Sequence, residues 1–152
     1  MTVLLVRHAV AMRRRDWAKA DHLRPLTPKG LTQAEGLVDL LGTFDVQRIF
    51  SSPYVRCVQT VEPLAAKLGL TVEQVEELAE GSDDAATDLV KGLKEMTAVL
   101  CSHGDVVPAL LSALAPHTYR GLDELPIAKG STWVVDHHRD KATYLPPPGK
   151  GT

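Results

Sequence analysis

The sequence predicts an α/β fold, a mostly parallel central sheet with helices on both faces, and three observations carry that prediction. Short apolar runs, Val3–Val6, Ile49–Phe50 and Ala98–Cys101, alternate through residue 115 with stretches whose apolar residues recur at helical spacing. Thr27-Pro28 and Ser52-Pro53 each pair an N-capping hydroxyl with a first-turn proline. The apolar strands end abruptly in polar, chemically capable residues, as strands do where an open α/β sheet binds ligands.

Taken in order, Val3–Val6 is a buried strand, and Met12–Pro25 is a polar, arginine-rich loop without period. A helix begins behind Thr27, with a stripe of Leu31, Ala34, Leu37, Val38 and Leu41, and stops at Gly42. Arg48–Ser51 is a short strand; the helix opened by Ser52-Pro53 carries Val58, Val61, Leu64, Ala65 and Leu68 up to Gly69. Thr71–Val75 contains Glu73 and Gln74, which suits an edge strand. Ser82–Met96 reads as a helix through Ala86, Leu89, Val90 and Leu93, and Thr97–Cys101 as a buried strand. Val106–Leu114 is an apolar helix that tolerates Pro108 in its first turn. Ser131–Asp136 and Ala142–Leu145 form a terminal hairpin. Residues 1–145 are thus expected to make one domain, followed by a flexible tail over residues 146–152.

A chain of 152 residues with 44% apolar and 24% charged residues is ordinary globular material. A domain of that size buries roughly 70% of its unfolded surface. The net charge of −2 gives no basic face for displacing counterions, so nucleic acid is not an expected partner. No apolar stretch approaches the roughly 20 residues that span a bilayer, so neither is a membrane. Cys57 and Cys101 have no Cys-x-x-Cys spacing and read as reduced core residues; a cytoplasmic location is expected. His137-His138, in the hairpin turn, lacks a partner ligand at useful spacing, and no metal is expected.

The candidate chemistry lies at three strand ends: Arg7-His8, Ser102-His103-Gly104, and Ser51-Ser52-Pro53 leading to Arg56. Arginine stays ionised and meets phosphate oxygens with a planar fork, so Arg7 and Arg56 suit a phosphoryl group. Arg56, about one turn into its helix, would point toward the unpaired N–H groups that themselves favour anions. His8 is the nucleophile candidate, because a neutral imidazole has a free lone pair, and a backbone carbonyl should fix its other nitrogen. His103 would hydrogen-bond an equatorial oxygen. A leaving alcohol needs a proton, and among Glu73, Glu76, Glu77 and Glu80 the favoured donor is Glu77, with Glu76 second. Arg13-Arg14-Arg15 could steer an acidic substrate and Trp17 could wall the site, while Trp133 reads as core.

These blocks resemble the histidine phosphatase, or phosphoglycerate-mutase-like, superfamily in its small SixA-type branch. Arg7-His8 is similar to its arginine–histidine signature, with Ala9 where glycine is usual. Arg24-Pro25-Leu26-Thr27 with Gly30 and Gln33-Ala34-Glu35, Ser51-Ser52-Pro53 with Arg56 and Gln59-Thr60, and Ser102-His103 resemble its later blocks; Glu77 with Gly81 looks like a shortened acid-bearing stretch. The resemblance implies a phosphoglycerate-mutase-like fold and a covalent phosphohistidine on His8. It implies a pocket of Arg7, Arg56 and His103, with Ser102, Gly104 and Arg24 binding substrate, and neither metal nor cofactor. The substrate it implies first is phosphohistidine in a protein. Arg56 through Ala65 and Lys129-Gly130-Ser131-Thr132-Trp133 are also similar to the phosphatase half of bacterial Nudix/phosphatase fusions. Nucleotides or small metabolites therefore stay open as substrates, as does a non-catalytic, phosphate-binding role beside a Nudix hydrolase partner.

Overall fold

In the computed structural model, which describes residues 1–93 and 95–149, β1 (Thr2–Arg7), β2 (Arg48–Ser51), β3 (Val72–Gln74) and β4 (Thr97–Ser102) run parallel. β5 (Thr132–Asp136) and β6 (Lys141–Leu145) complete a six-stranded sheet in the order β3-β2-β4-β1-β5-β6, with β5 antiparallel to β1. The fold is therefore the mostly parallel α/β class that the alternation of strands and helices predicts.

β1 explains why both faces are covered. Val3 and Leu5 point into one core with Leu100, while Leu4 and Val6 point into the other with Val99 and Cys101. All of these are fully buried, and each such aliphatic side chain contributes about 1.5–3 kcal/mol relative to exposure. The first core is closed by α3 (Asp83–Lys91) and α4 (Val106–Leu114), the second by α1 (Pro28–Leu41) and α2 (Val55–Leu68). Trp133 belongs to the first core, as its apolar neighbours suggest.

Thr27 caps α1 by accepting from the Gly30 amide at 3.1 Å, with Pro28 in the first turn. The buried face of α1 is Gly30, Gln33, Ala34, Leu37 and Leu41, whereas Leu31 is 47% exposed and falls outside the stripe expected for it. The face turns toward small and polar residues because α1 packs over the chain leaving β1: Gln33 Oε1 accepts from the Val10 amide at 2.9 Å.

α2 also differs from expectation. It starts at Val55, because Ser52 Oγ accepts from the Tyr54 amide at 3.2 Å and holds Ser52-Pro53 in a turn ahead of the helix. Arg56 is the second helical residue, not one turn in, and the buried stripe is Cys57, Thr60, Val61, Leu64 and Ala65. Cys57 and Cys101 are buried free thiols.

β3 is an edge strand as expected. The helix expected over Ser82–Met96 ends at Lys91, where Gly92 caps it; position 94 of that expectation lies outside the described residues. A five-residue helix, α5 (Pro116–Arg120), is too short to show a period. The loop expected over Met12–Pro25 is pinched at its base by a bridge between Ala11 and Leu26, and it holds tight 3-10 turns at Arg14–Asp16 and Asp21–Leu23. Beyond β6, Pro148 lies against Gly36 of α1, and residues 150–152 of the expected tail lie outside the described residues. No helix among the described residues is long and apolar enough to cross a membrane.

Candidate active site

β1, β4 and α2 deliver Arg7, His8, His103 and Arg56 to one cavity of about 480 Å³ beyond the carboxyl ends of the parallel strands. Crossing from β1 to β4, the His8 amide donates to the Ser102 carbonyl at 3.0 Å, which fixes where both strands leave the ladder. The Ala9 amide donates to Thr60 Oγ1 at 2.9 Å, and that hydroxyl donates to the Arg56 carbonyl at 2.7 Å. Thr60 thus ties the histidine end of β1 to the first turn of α2.

The His8 Nδ1 hydrogen bond goes to the Ala9 carbonyl, at 2.8 Å. A carbonyl only accepts, so Nδ1 carries the proton and Nε2 keeps the lone pair. Burial holds the His8 pKa down to about 3, with the charges of Arg56, His103 and Arg7 acting the same way. The ring is therefore neutral at ordinary pH, which a nucleophile needs.

His103 packs edge-on to His8 with ring centroids 5.6 Å apart, and its Nε2 lies 2.9 Å from Ser52 Oγ and 3.5 Å from Cys57 Sγ. Its Nδ1 is buried without a hydrogen-bond partner, as are Arg7 Nε and Arg56 Nε. Buried donors are nearly always paired. All three belong to residues that line the cavity, so two guanidinium groups and an imidazole converge where an oxyanion would sit.

Each expected residue has a definite place. Arg7 Nη1 donates to the Ile127 carbonyl at 2.7 Å, and Gly104 lies so close that a Cβ there would sit 2.9 Å from Arg7 Nη2. Gly104 is thus needed for the approach of the guanidinium. Arg24 lines the cavity, yet it is occupied as a strut: Nε donates to Asp21 Oδ1 at 2.9 Å and Nη1 to the Met12 carbonyl. Ser102 does not line it; its buried hydroxyl donates to the Leu78 carbonyl and so serves the fold. Glu77 and Glu76 are exposed on the 3-10 turn Glu76–Leu78 and do not line the cavity.

Two carboxylates line the cavity, Glu80 and Asp105, and Glu80 is the one that contacts Arg56. Its Oε1 accepts from Arg56 Nη2 at 2.9 Å and lies 3.8 Å from His103 Nδ1, and its Oε2 accepts from Arg14 Nη2 at 3.1 Å. Asp21, in the loop, accepts from the same Arg56 nitrogen at 3.2 Å. Burial pushes the Asp21 pKa up, but hydrogen bonds from Arg24 and Arg56 outweigh it and hold it below the ordinary carboxylate value. Lys129 reaches the cavity from the far side, where Gly130 donates to the carbonyls of Arg7 and His8 at 3.1 and 3.0 Å. Burial lowers the Lys129 pKa, and the neighbouring charges of Arg7, Arg24 and Arg56 lower it further. Sequence reasoning assigned no role to Asp21 or Lys129. For Lys129 a signal existed, since Lys129-Gly130-Ser131 stands in a block already noted for its resemblance to the fusions.

Among the described residues, no group of three or more His, Cys, Asp or Glu side chains is placed to hold a metal ion. The chemistry available is nucleophilic attack by one imidazole on an anion held by arginines, a second imidazole and a neighbouring carboxylate.

Comparison with known proteins agrees with this geometry. Residues 3–82 match the sequence profile of the histidine phosphatase superfamily (branch 1). The chain is 35% identical to an 8-oxo-(d)GTP phosphatase of Mycolicibacterium smegmatis over 97% of its own length and 48% of that protein's, so it spans about half of that relative. Among solved structures, the protein histidine phosphatase SixA in complex with tungstate superposes with a TM-score of 0.76 at 22% identity, covering 98% of this chain and 97% of that one. A protein of Agrobacterium tumefaciens assigned as phosphohistidine phosphatase SixA gives 0.80 at 24% identity, covering 96% and 97%. With a family profile spanning more than half its residues and a relative alignable along nearly its whole length, the chain belongs to the histidine phosphatase superfamily.

Proposed function

We propose that this chain is a phosphatase that works through a covalent phosphohistidine on His8. The observation that carries the reading is the convergence of three donor side chains, Arg7, Arg56 and His103, on the cavity that His8 lines with its Nε2 lone pair free. In the first step His8 Nε2 attacks phosphorus; the N–P bond forms, the bond to the leaving oxygen breaks, and Glu80 gives that oxygen a proton. In the second, Glu80 takes a proton from water as the water attacks phosphorus, releasing phosphate and neutral His8. The three donors stabilise the equatorial oxygens throughout.

Nucleoside phosphates are the substrate class we favour, supported by the 35% identical relative named as an 8-oxo-(d)GTP phosphatase. A Nudix hydrolase as functional partner belongs to the same proposal, on the resemblance of Arg56 through Ala65 and Lys129 through Trp133 to the phosphatase half of Nudix/phosphatase fusions. The second reading is phosphohistidine in a protein, supported by the exposed Arg13, Arg14 and Arg15 beside the cavity, which could receive an acidic protein surface.

The test compares wild type with His8→Ala on an aryl phosphate, a panel of nucleoside phosphates and a phosphohistidine-bearing protein. Activity on at least one, lost in the variant and accompanied by acid-labile, base-stable phosphate on His8, is the expected result. Equal rates for both proteins would leave only a phosphate-binding, regulatory role.

A further inference from the structure

A second cleft, of about 560 Å³, adjoins the phosphate cavity and shares Arg14, Glu80 and Asp105 with it. Its other walls include the rings of Trp17 and Tyr54 and the ammonium of Lys19. We propose that this cleft binds the leaving group of the substrate, and that it selects a planar heteroaromatic group such as a purine base, with Trp17 as the specificity-determining residue. The inference rests on the phosphatase reading and adds the part of the site that discriminates among phosphate esters.

Trp17 is built as a wall. Its indole N–H donates to the Ala20 carbonyl at 3.0 Å, so the ring is held from its polar edge while the side chain as a whole is only half-buried. Fixing a ring before a ligand arrives removes part of the ordering cost of binding. Lys19 Nζ lies over one face of the indole, 5.8 Å from the ring centroid, which places a cation in the cleft for any further phosphate the ligand carries.

Tyr54 connects this cleft to the chemistry. Its ring meets His103 edge-on at 4.7 Å and has the Arg56 guanidinium 4.8 Å from its centroid. A group in this cleft therefore sits beside a ring that touches both His103 and Arg56. The carboxylates of the cleft are mostly engaged: Asp21 with Arg24 and Arg56, Glu80 with Arg56 and Arg14, and Asp105 Oδ2 with the Gly81 amide at 2.7 Å. Asp105 Oδ1 is left to accept from N–H groups on the edge of a base. An aliphatic leaving group would leave both rings unused, even where its hydroxyls reach the acceptor.

The test measures binding, independently of turnover. Affinities of a purine nucleoside monophosphate, glycerol phosphate and inorganic phosphate are measured by calorimetry on His8→Ala and on the same protein carrying Trp17→Ala or Trp17→Phe. Stacking on one aromatic ring gives about ten- to a hundredfold in affinity. The nucleotide should bind about tenfold or more weaker after Trp17→Ala and recover most of that loss with Trp17→Phe, with both other ligands changed by less than about twofold. Nucleotide binding that Trp17→Ala leaves unchanged, or weakens no more than it weakens inorganic phosphate, overturns the assignment. Because His8 is absent throughout, a protein that proves unable to hydrolyse phosphate esters can still pass or fail this test.

Discussion

Glu80 Oε1 lies between Arg56 Nη2, at 2.9 Å, and His103 Nδ1, at 3.8 Å. A carboxylate oxygen therefore stands against two groups suited to a phosphoryl oxygen, and an arriving phosphate competes with it for Arg56. The same position lets Glu80 reach a leaving oxygen once the phosphate is bound.

Replacing Glu80 by Gln removes both the competitor and the proposed proton donor. Inorganic phosphate should bind several-fold tighter, while turnover of alkyl phosphates falls by about 10²-fold and that of an aryl phosphate with a good leaving group by less than about tenfold. Glu77→Gln should stay within about twofold of wild type on both substrates. Steady-state kinetics and phosphate inhibition read these outcomes. The reverse ranking of the two variants would return the proton donor to Glu77.

Arg56→Lys retains the charge but loses the fork that now contacts Asp21 and Glu80. A fall in kcat/KM of about 10²-fold is expected, since arginine and lysine are not equivalent at two-pronged anion sites. Near-normal kinetics would show that a point charge suffices.

The pH dependence of stability follows from His8. Its folded pKa of about 3 lies below the ordinary 6.5, so between those values the unfolded chain binds more protons. Stability should therefore decline as pH falls through this window. At pH 4.5 the loss is about 3 kcal/mol relative to pH 7.5, and His8→Gln should abolish it. Urea denaturation of both proteins at the two pH values measures the difference. Parallel losses would mean that His8 titrates normally.

Two glycines should separate chemistry from stability. A Cβ at Gly104 would lie 2.9 Å from Arg7 Nη2 and 3.0 Å from Cζ, so Gly104→Ala should displace the guanidinium and lower kcat/KM by about tenfold. A Cβ at Gly30 would lie 2.0 Å from the Val10 carbonyl oxygen, which forces α1 away from the strand end. Gly30→Ala should destabilise the protein by about 3 kcal/mol. Thermal melts beside kinetics distinguish the two; a stability loss in Gly104→Ala equal to that in Gly30→Ala would contradict the account.

Much of the sheet is legible in the sequence because β1 and β4 are buried on both faces and every interior position must be apolar. The residues at their ends are legible for the complementary reason, that Arg7-His8 and Ser102-His103 interrupt an apolar run. The start of α2 is not, since Ser52-Pro53 serves a turn as readily as a cap. Choosing Glu80 over Glu77 requires knowing that Glu76–Leu78 forms a tight turn and that Gly81, at φ 85°, redirects the chain behind it. Asp21 and Lys129 escape sequence reasoning because the contacts that define them join positions far apart, such as Asp21 with Arg56 and the Gly130 amide with the Arg7 and His8 carbonyls.

β1 has a consequence for synthesis. Its two sheet neighbours are residues 97–102 and 132–136, so during translation the first strand emerges long before anything it can pair with. Such distant pairings are slow to close and leave apolar edges uncovered in the meantime. A ribosome-bound chain halted ahead of position 132 would carry both imidazoles and the Arg7 and Arg56 guanidinium groups, yet lack the strand that flanks the His8 end of β1. Competence toward phosphate should therefore be acquired only after residues 132–136 have emerged and paired with β1.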